Sequence, residues 1–158
     1  PHERDYYLMV KSIAQGFDFS VGYRRQLLTF VYVKDLASAV FDALESGVRR
    51  KSYLLTDGKT YTQSEFRSIV KHLLGKRFVV PVKAPLWIVG IVCAIAERIA
   101  AAKGKASTLN RDKYKILRQR NWTCDITPAV NDFGYHPRYD LRQGLEETIR
   151  WYRDNGWL

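Results

Sequence analysis

The sequence predicts an α/β fold, and two observations carry this prediction. In residues 29–46, an apolar run at residues 30–33 passes directly into a stretch whose apolar residues recur three and four positions apart. The same order, a short apolar strand followed by a capped amphipathic helix, returns in residues 53–74. A strand that leads directly into a helix is the usual local pattern of α/β proteins.

The first predicted helix covers residues 35–46. We interpret Asp35 as its N-cap, because an aspartate carboxylate at this position accepts a hydrogen bond from a free amide of the first turn. The spacing of its apolar side chains predicts one buried face. This face is formed by Leu36, Ala39, Val40, Ala43 and Leu44.

The second unit begins with a predicted strand at residues 53–56 and a turn at residues 57–60. Thr62 and Glu65 have the spacing of a capping box, in which each side chain accepts a hydrogen bond from the backbone amide of the other. The helix after this box carries an apolar face, and Gly75 is placed to end it in the left-handed conformation. The face is formed by Phe66, Ile69, Val70, Leu73 and Leu74.

A strand is predicted at residues 78–80, before Pro81, and a helix from Pro85 to about residue 102. Residues 84–96 are apolar on all sides of this helix, yet Glu97 and Arg98 come directly after them. The apolar stretch is shorter than the roughly 20 residues that cross a bilayer. We therefore predict a buried or partner-facing helix and no membrane span.

The remaining residues predict a helix at 109–120, an extended segment at 121–126 and two further helices. Thr127 and Pro128 mark the start of a short helix that Gly134 closes. Asp140 caps the last helix, residues 141–154, after which the final two residues can fold back. Its buried face is formed by Leu145, Ile149 and Tyr152.

The chain has 158 residues, of which 46% are hydrophobic, a net charge of +10 and a sequence pI near 9.7. Its basic residues are spread out, and the densest window is residues 110–120. We interpret this window as the solvated face of a helix; a neighbour of an anionic small molecule or cofactor and a nucleic-acid groove are the alternatives. No nucleic-acid partner is predicted, because no recognition motif accompanies the charge.

The sequence contains few side chains in patterns typical of catalytic, metal-binding or phosphate-binding sites. Cys93 and Cys124 fit neither a disulfide framework nor a metal site, and we interpret them as buried free thiols of a reducing, cytoplasmic compartment, with a reactive cysteine as the alternative. His2, His72 and His136 lie in unrelated contexts. No glycine-rich strand-to-helix turn is present to approach a pyrophosphate. The sequence therefore predicts a binding region without a catalytic residue or a metal site.

Three segments, in this order, resemble one family. "PHERDYY" resembles the residues directly after Tyr-Gly in the YGP motif of the extended short-chain dehydrogenases/reductases, the NAD-dependent epimerase/dehydratase superfamily. "TFVYVKDLASAVFDAL" is similar to that family's strand-helix unit, and "FGYHPRYDLRQGLEETIRWYRDNGWL" to its closing signature. Any one of these segments is a weak signal, whereas the three together are specific.

This resemblance implies that residues 1–158 are the C-terminal portion of a Rossmann-type enzyme. They would supply the last sheet strand, some helices and a small, mostly helical substrate-binding lobe. The N-terminal half, with the glycine-rich turn and the Tyr-x-x-x-Lys pair, would lie outside this chain. The complete enzyme would bind NAD or NADP, and such enzymes often form homodimers through helices of that half.

By the same resemblance, Pro1 and His2 are expected beside the cofactor and Tyr32 beside the substrate, although a packed tyrosine is an equal alternative at this position. Sugar-nucleotide enzymes of the family usually carry Arg-Asp before the strand, where Leu28 and Thr29 stand here. Their second phosphate-binding segment is not recognisable either. Substitutes for these anchors, at a spacing that does not match, are Arg24, Arg25, Arg118 and Arg120.

The function implied is hydride transfer between the nicotinamide and a secondary alcohol or ketone carbon, with this chain forming the pocket wall and inactive by itself. The missing Arg-Asp pair and the apolar stretch favour a hydrophobic substrate. A nucleoside-diphosphate-sugar epimerase or dehydratase with relocated arginines is the alternative. A basic nucleic-acid- or protein-binding module is the non-enzymatic alternative.

Overall fold

A computed structural model of the chain describes residues 4–102, 104 and 111–158. The predicted α/β class is confirmed, because helices alternate with short strands that include parallel pairs. The elements in chain order are α1 Arg4–Ala14, β1 Phe17–Val21, β2 Leu27–Leu28, α2 Val33–Glu45, β3 Tyr61–Thr62, α3 Gln63–Leu73, β4 Val80–Ala84, α4 Leu86–Ala102, α5 Arg111–Arg118, β5 Asn121–Trp122, α6 Thr127–Phe133 and α7 Leu141–Asp154.

The strands form two small sheets. β1 pairs with β4 in parallel, whereas β2 lies between β3, which is antiparallel to it, and β5, which is parallel. The strand predicted to stop before Pro81 instead continues through it to Ala84, with Pro81 opposite Asp18. Proline is tolerated there because β4 pairs, among the described residues, only with β1 and has an open edge.

The strands predicted at residues 30–33 and 53–56 are wrong, since neither segment forms a ladder within the described residues. The backbone N–H of Asp57 donates to the carbonyl of Phe30 at 2.8 Å, which joins the ends of the two segments. The apolar composition nevertheless predicted correctly that part of the first segment packs on the core. The Phe30 ring stacks on that of Phe66, with ring centroids 5.4 Å apart. A strand, however, also requires a neighbouring chain in register.

The main core lies between α1, α3 and α7, as the apolar faces of α3 and α7 predicted. The predicted capping box of Thr62 with Glu65 is present, and Asp140, predicted as a cap, forms a second capping box with Gln143. At the C-terminus, Trp157 folds back as expected and stacks on Tyr152, with ring centroids 5.8 Å apart. The buried core residues are Val10, Ile13, Phe66, Val70, Leu141, Leu145, Ile149 and Tyr152.

Two interpretations of α2 are corrected. The N-cap is Tyr32, which makes no side-chain cap, because the helix begins at Val33 and Asp35 falls inside the first turn. The predicted buried face is buried only at Ala39. Leu44, at the far end of this face, is 74% exposed, because no described element packs against that side.

Helix α4 agrees with the prediction in position and length, but it is buried on one side only. One side packs on α5, where Gly90 approaches the ring of Tyr114 and Cys93 is fully buried, while the other side faces solvent. Within residues 4–102, 104 and 111–158, no helix is both long and apolar enough to cross a membrane. Of the predicted helix 109–120, residues 109 and 110 lie outside the described part.

Candidate substrate-binding site

A cavity of about 490 Å³ lies between α1, β2 and the segment from α5 to β5. Its wall is mainly apolar, because α1 contributes the inner side of an amphipathic helix and α3 contributes a core aromatic. The polar groups that face it include Gln26, Thr29 and Gln63. Apolar lining residues include Tyr6, Met9, Phe30, Phe66, Leu117 and Trp122.

Gln26 fixes one end of this cavity. Its amide nitrogen donates to the carbonyl oxygens of Leu117 at 2.9 Å and Gln119 at 2.5 Å, and its own carbonyl oxygen accepts from the side chain of Gln63. The residue therefore ties β2 to the end of α5 and the start of α3. Sequence reasoning missed Gln26, because its three partners lie far away in the chain.

Thr29 occupies the position where sugar-nucleotide enzymes were expected to carry a charged pair. Its hydroxyl donates to the carbonyl oxygen of Trp122 at 2.7 Å and thus joins β2 to the end of β5. The hydroxyl hydrogen of Thr29 is therefore already used within the protein. A phosphate or carboxylate of a ligand would need other hydrogen-bond donors.

Such donors converge on a smaller cleft of about 180 Å³ beside the cavity. It is lined by Arg24, Arg118 and Arg120, and Gln26 and Leu117 line both the cleft and the cavity. Among the described residues, these three arginines form no ion pair. A guanidinium group presents paired donors that match the oxygens of a phosphate or carboxylate.

Arg25 faces a neighbouring cleft of about 330 Å³, which it shares with Arg24, Arg67 and Lys83. The charge of Arg67 is already used, since its Nε lies 3.2 Å from the buried carboxylate of Asp18. The structure thus brings Arg24 and Arg118 together at one cleft and places Arg25 on the far side of Arg24.

Tyr32 lies apart from the arginines. It lines a separate cavity of about 310 Å³, and its hydroxyl donates to the Glu147 carboxylate at 2.7 Å. Burial and this hydrogen bond raise the pKa of Tyr32 to about 12. Hydrogen bonds from Lys34, at 2.6 Å, and from Tyr32 hold the pKa of Glu147 below its usual value. These contacts support the interpretation of Tyr32 as a packed tyrosine.

The remaining candidates for chemistry are few. Pro1 and His2, expected beside the cofactor, lie outside the described residues. His72 and His136 are both exposed. In the part of the chain that the structure describes, no group of three or more His, Cys, Asp or Glu side chains could hold a metal ion.

Comparison with known proteins gives sequence relatives along almost the whole chain, although no family model matches it. An uncharacterized protein of Sinorhizobium fredii is 26% identical over 94% of this chain and 43% of its own length. The UDP-glucuronate 4-epimerase 6 of Arabidopsis thaliana is 27% identical over 93% of this chain and 30% of its own length. The chain thus spans less than half the length of these relatives.

Solved structures agree in fold. The dTDP-glucose 4,6-dehydratase of Streptomyces venezuelae, determined with NAD bound, matches 95% of this chain and 38% of its own with a TM-score of 0.67. Its sequence identity is 20%, so this likeness concerns the fold. The predicted architecture, a portion of a Rossmann-type enzyme together with a smaller lobe, is confirmed by this match.

Proposed function

Because the chain belongs to the NAD-dependent epimerase/dehydratase family, as a C-terminal part of its extended short-chain dehydrogenases/reductases, we propose that residues 1–158 are the substrate-binding region of such an enzyme. The dinucleotide-binding half, and with it the proton-transferring residues, lies outside this chain in our proposal. NAD or NADP supplies the hydride chemistry there. Residues of this chain bind and orient the alcohol or ketone carbon, and Pro1 and His2 remain proposed neighbours of the cofactor.

We propose a nucleoside-diphosphate sugar as the substrate. The observation that carries this proposal is the cleft of Arg24, Arg118 and Arg120, which adjoins the 490 Å³ cavity and has no described carboxylate to neutralise it. Two or three guanidinium groups suit a diphosphate, whose oxygens accept paired hydrogen bonds. The activities of the named relatives, a UDP-glucuronate epimerase and dTDP-glucose dehydratases, support the same substrate class.

A hydrophobic secondary alcohol or ketone is the second candidate. Two observations favour it: the cavity wall is mainly apolar, and Thr29 bonds to Trp122 where the Arg-Asp pair of the sugar-nucleotide enzymes was expected. A substrate of this kind would fill the cavity and leave the arginine cleft to solvent. The two candidates therefore differ in whether the arginines of the cleft contribute to substrate binding.

Ligand-induced thermal stabilisation of the complete protein separates them. We expect UDP- or dTDP-sugars to raise the melting temperature and hydrophobic ketones not to. Arg24→Ala and Arg118→Ala should each remove most of this shift, and Arg118→Lys should restore only part of it, because an ammonium cannot donate the paired bonds. The control is Arg49→Ala, an exposed arginine that lines neither the cavity nor the clefts. Stabilisation by ketones that survives both alanine variants would favour the second candidate.

The chain by itself should neither turn over substrate nor hold the dinucleotide tightly, since the resemblance puts the pyrophosphate-binding turn in the other half. Isothermal titration with NAD(H) and NADP(H) measures this directly. Low-micromolar affinity for either dinucleotide would contradict the proposal that the other half of the enzyme binds the cofactor.

We also propose a reducing, cytoplasmic location, because Cys93 and Cys124 are both free thiols.

A further inference from the structure

A row of polar side chains runs from the buried carboxylate of Asp18 to the end of α5. The Nε of Arg67 lies 3.2 Å from that carboxylate, and a terminal nitrogen of the same guanidinium donates to the side-chain oxygen of Gln63 at 3.4 Å. The Gln63 amide nitrogen donates in turn to the side-chain oxygen of Gln26. Gln26 closes the row by donating to two backbone carbonyl oxygens at the end of α5. The row therefore connects β1 and α3 to this helix end.

The two ends of the row fix the orientation of both glutamine side chains. A guanidinium group can only donate and a carbonyl oxygen can only accept, so the oxygen of Gln63 must face Arg67 and the nitrogen of Gln26 must face α5. Reversing either amide would place two donors or two acceptors against each other. Gln26 thus has one arrangement that satisfies its hydrogen bonds, and a fully satisfied network of this kind is rigid.

The hydrogen bonds of Gln26 act on the segment that carries Arg118. Their acceptors are the carbonyl oxygens of Leu117 and Gln119, the residues on either side of Arg118. Carbonyl groups in the last turn of a helix have no partner within the helix, so they depend on donors from outside it. Arg120 is held separately, because its carbonyl oxygen accepts the first backbone N–H of β2 at 2.8 Å. The amide of Gln26 therefore matters most for Arg118.

We infer that Gln26 is a positioning residue that holds Arg118 at the cleft to which the proposed function, on which this role depends, assigns the diphosphate of the substrate. Arg118 is exposed, so the direction of its long side chain is set by the backbone that carries it more than by packing. Gln26 also covers carbonyl oxygens at the negative end of α5, which would otherwise repel an anion. It lines both the cavity and the arginine cleft, and it is thus placed to act on both.

Pyrophosphate binding to the complete protein tests this role, measured by isothermal titration with excess NAD to fill the dinucleotide site. Gln26→Met keeps the length of the side chain and removes its hydrogen bonds. We expect this change to weaken binding about tenfold, but less than about twofold in an Arg118→Ala background, because Gln26 acts through that arginine. The matched control is Gln15→Met, which changes an exposed glutamine after α1 and should leave binding unaltered.

Hydrogen exchange without pyrophosphate shows whether the effect is local. In Gln26→Met the backbone N–H of Gln119, which bonds within the held segment, should exchange about tenfold faster, whereas that of Trp157 beside the main core should keep its rate. If Gln26→Met does not fold, Gln63→Met, which removes only the support behind Gln26, takes its place in both measurements. The same pattern with a smaller effect is then expected.

Absence of pyrophosphate binding, equal losses of affinity in the two backgrounds, or unchanged exchange at Gln119 would each overturn the inference. Failure of the proposed function looks different. If UDP- and dTDP-sugars do not stabilise the protein while pyrophosphate binding depends on Gln26 through Arg118, the substrate class is wrong and the positioning role stands. If those sugars stabilise the protein and Gln26→Met behaves like the unaltered protein, the substrate class stands and the positioning role falls.

Discussion

The carboxylate of Asp35 lies 3.0 Å from the backbone nitrogen of Tyr139, a residue 104 positions later in the chain. Its other oxygen accepts the neighbouring N–H of Arg138, also at 3.0 Å. Asp35 is 3% exposed, so these two bonds replace the water that a carboxylate needs. The pair fixes the segment before α7 against the first turn of α2.

Asp35→Asn tests this tether. An amide offers one acceptor oxygen, so one of the two backbone N–H groups would lose its partner. We expect the free energy of unfolding to fall by about 1–3 kcal/mol in urea denaturation. Asp42→Asn, an exposed change on the same helix, should leave it nearly unaltered. Equal effects of the two variants would show that the tether adds no stability.

Gly144→Ala should destabilise the packing of α7 on the start of α2. A Cβ atom at Gly144 would lie 2.9 Å from Cδ2 of Tyr32, closer than carbon atoms approach. Overpacking costs about 1–3 kcal/mol and alanine returns up to about 1 kcal/mol of helix propensity, so we expect a net loss of about 1–2 kcal/mol. Urea denaturation measures this loss.

The clash also predicts coupling between the two positions. In a Tyr32→Ala background the two closest atoms, Cδ2 and Cγ of Tyr32, are gone and the Cβ atom remains at 3.5 Å, an ordinary contact, so Gly144→Ala should there be neutral or stabilising. A loss of the same size in both backgrounds would place the cause outside Tyr32.

Glu147 predicts a pH dependence of stability. Hydrogen bonds from Lys34, and then from Tyr32, hold the pKa of Glu147 below its usual 4.5. A lowered pKa in the folded state means that this contribution is complete above about pH 4.5 and is lost as the pH falls through the folded value. Glu147→Gln should therefore lower stability at neutral pH, and the difference from the unaltered protein should shrink in acid.

Urea denaturation at neutral pH and at about pH 3 compares these two conditions. Glu146→Gln is the matched control, because Glu146 is exposed on the same helix and, among the described residues, has its ion pair with the exposed Arg150, at 3.5 Å. A difference for Glu147→Gln that stays constant over this pH range would contradict the assigned cause.

Thr62→Ala removes one side of the capping box of α3. The Thr62 hydroxyl accepts the backbone N–H of Glu65 at 3.2 Å, and the Glu65 carboxylate accepts the N–H of Thr62 at 2.6 Å. We expect a loss of about 1 kcal/mol of stability, measured by urea denaturation. Thr60→Ala, an exposed threonine just before the box, should change little; an equal loss there would point to the loop rather than to the cap.

Local signals in the sequence predicted the features that depend on neighbouring residues. The capping box of Thr62 and Glu65, the Asp140 cap and the helix-ending glycines Gly75 and Gly134 were predicted correctly, because their hydrogen bonds close within a few residues. The prediction of helix α4 was correct for the same reason. Strand β1 was not predicted, since Phe17–Val21 is a strand only through its pairing with Val80–Ala84.

The sequence alone determined the fold class, most helices and the family, because periodicity, capping and short motifs are properties of the chain itself. Only the tertiary structure decided that Arg24 and Arg118 share one cleft, that Tyr32 stands apart from them, and that Asp35 is a tether rather than a cap. The physical reason is distance along the chain. These contacts join residues about a hundred positions apart, and the packing of whole elements, rather than any local spacing, brings them together.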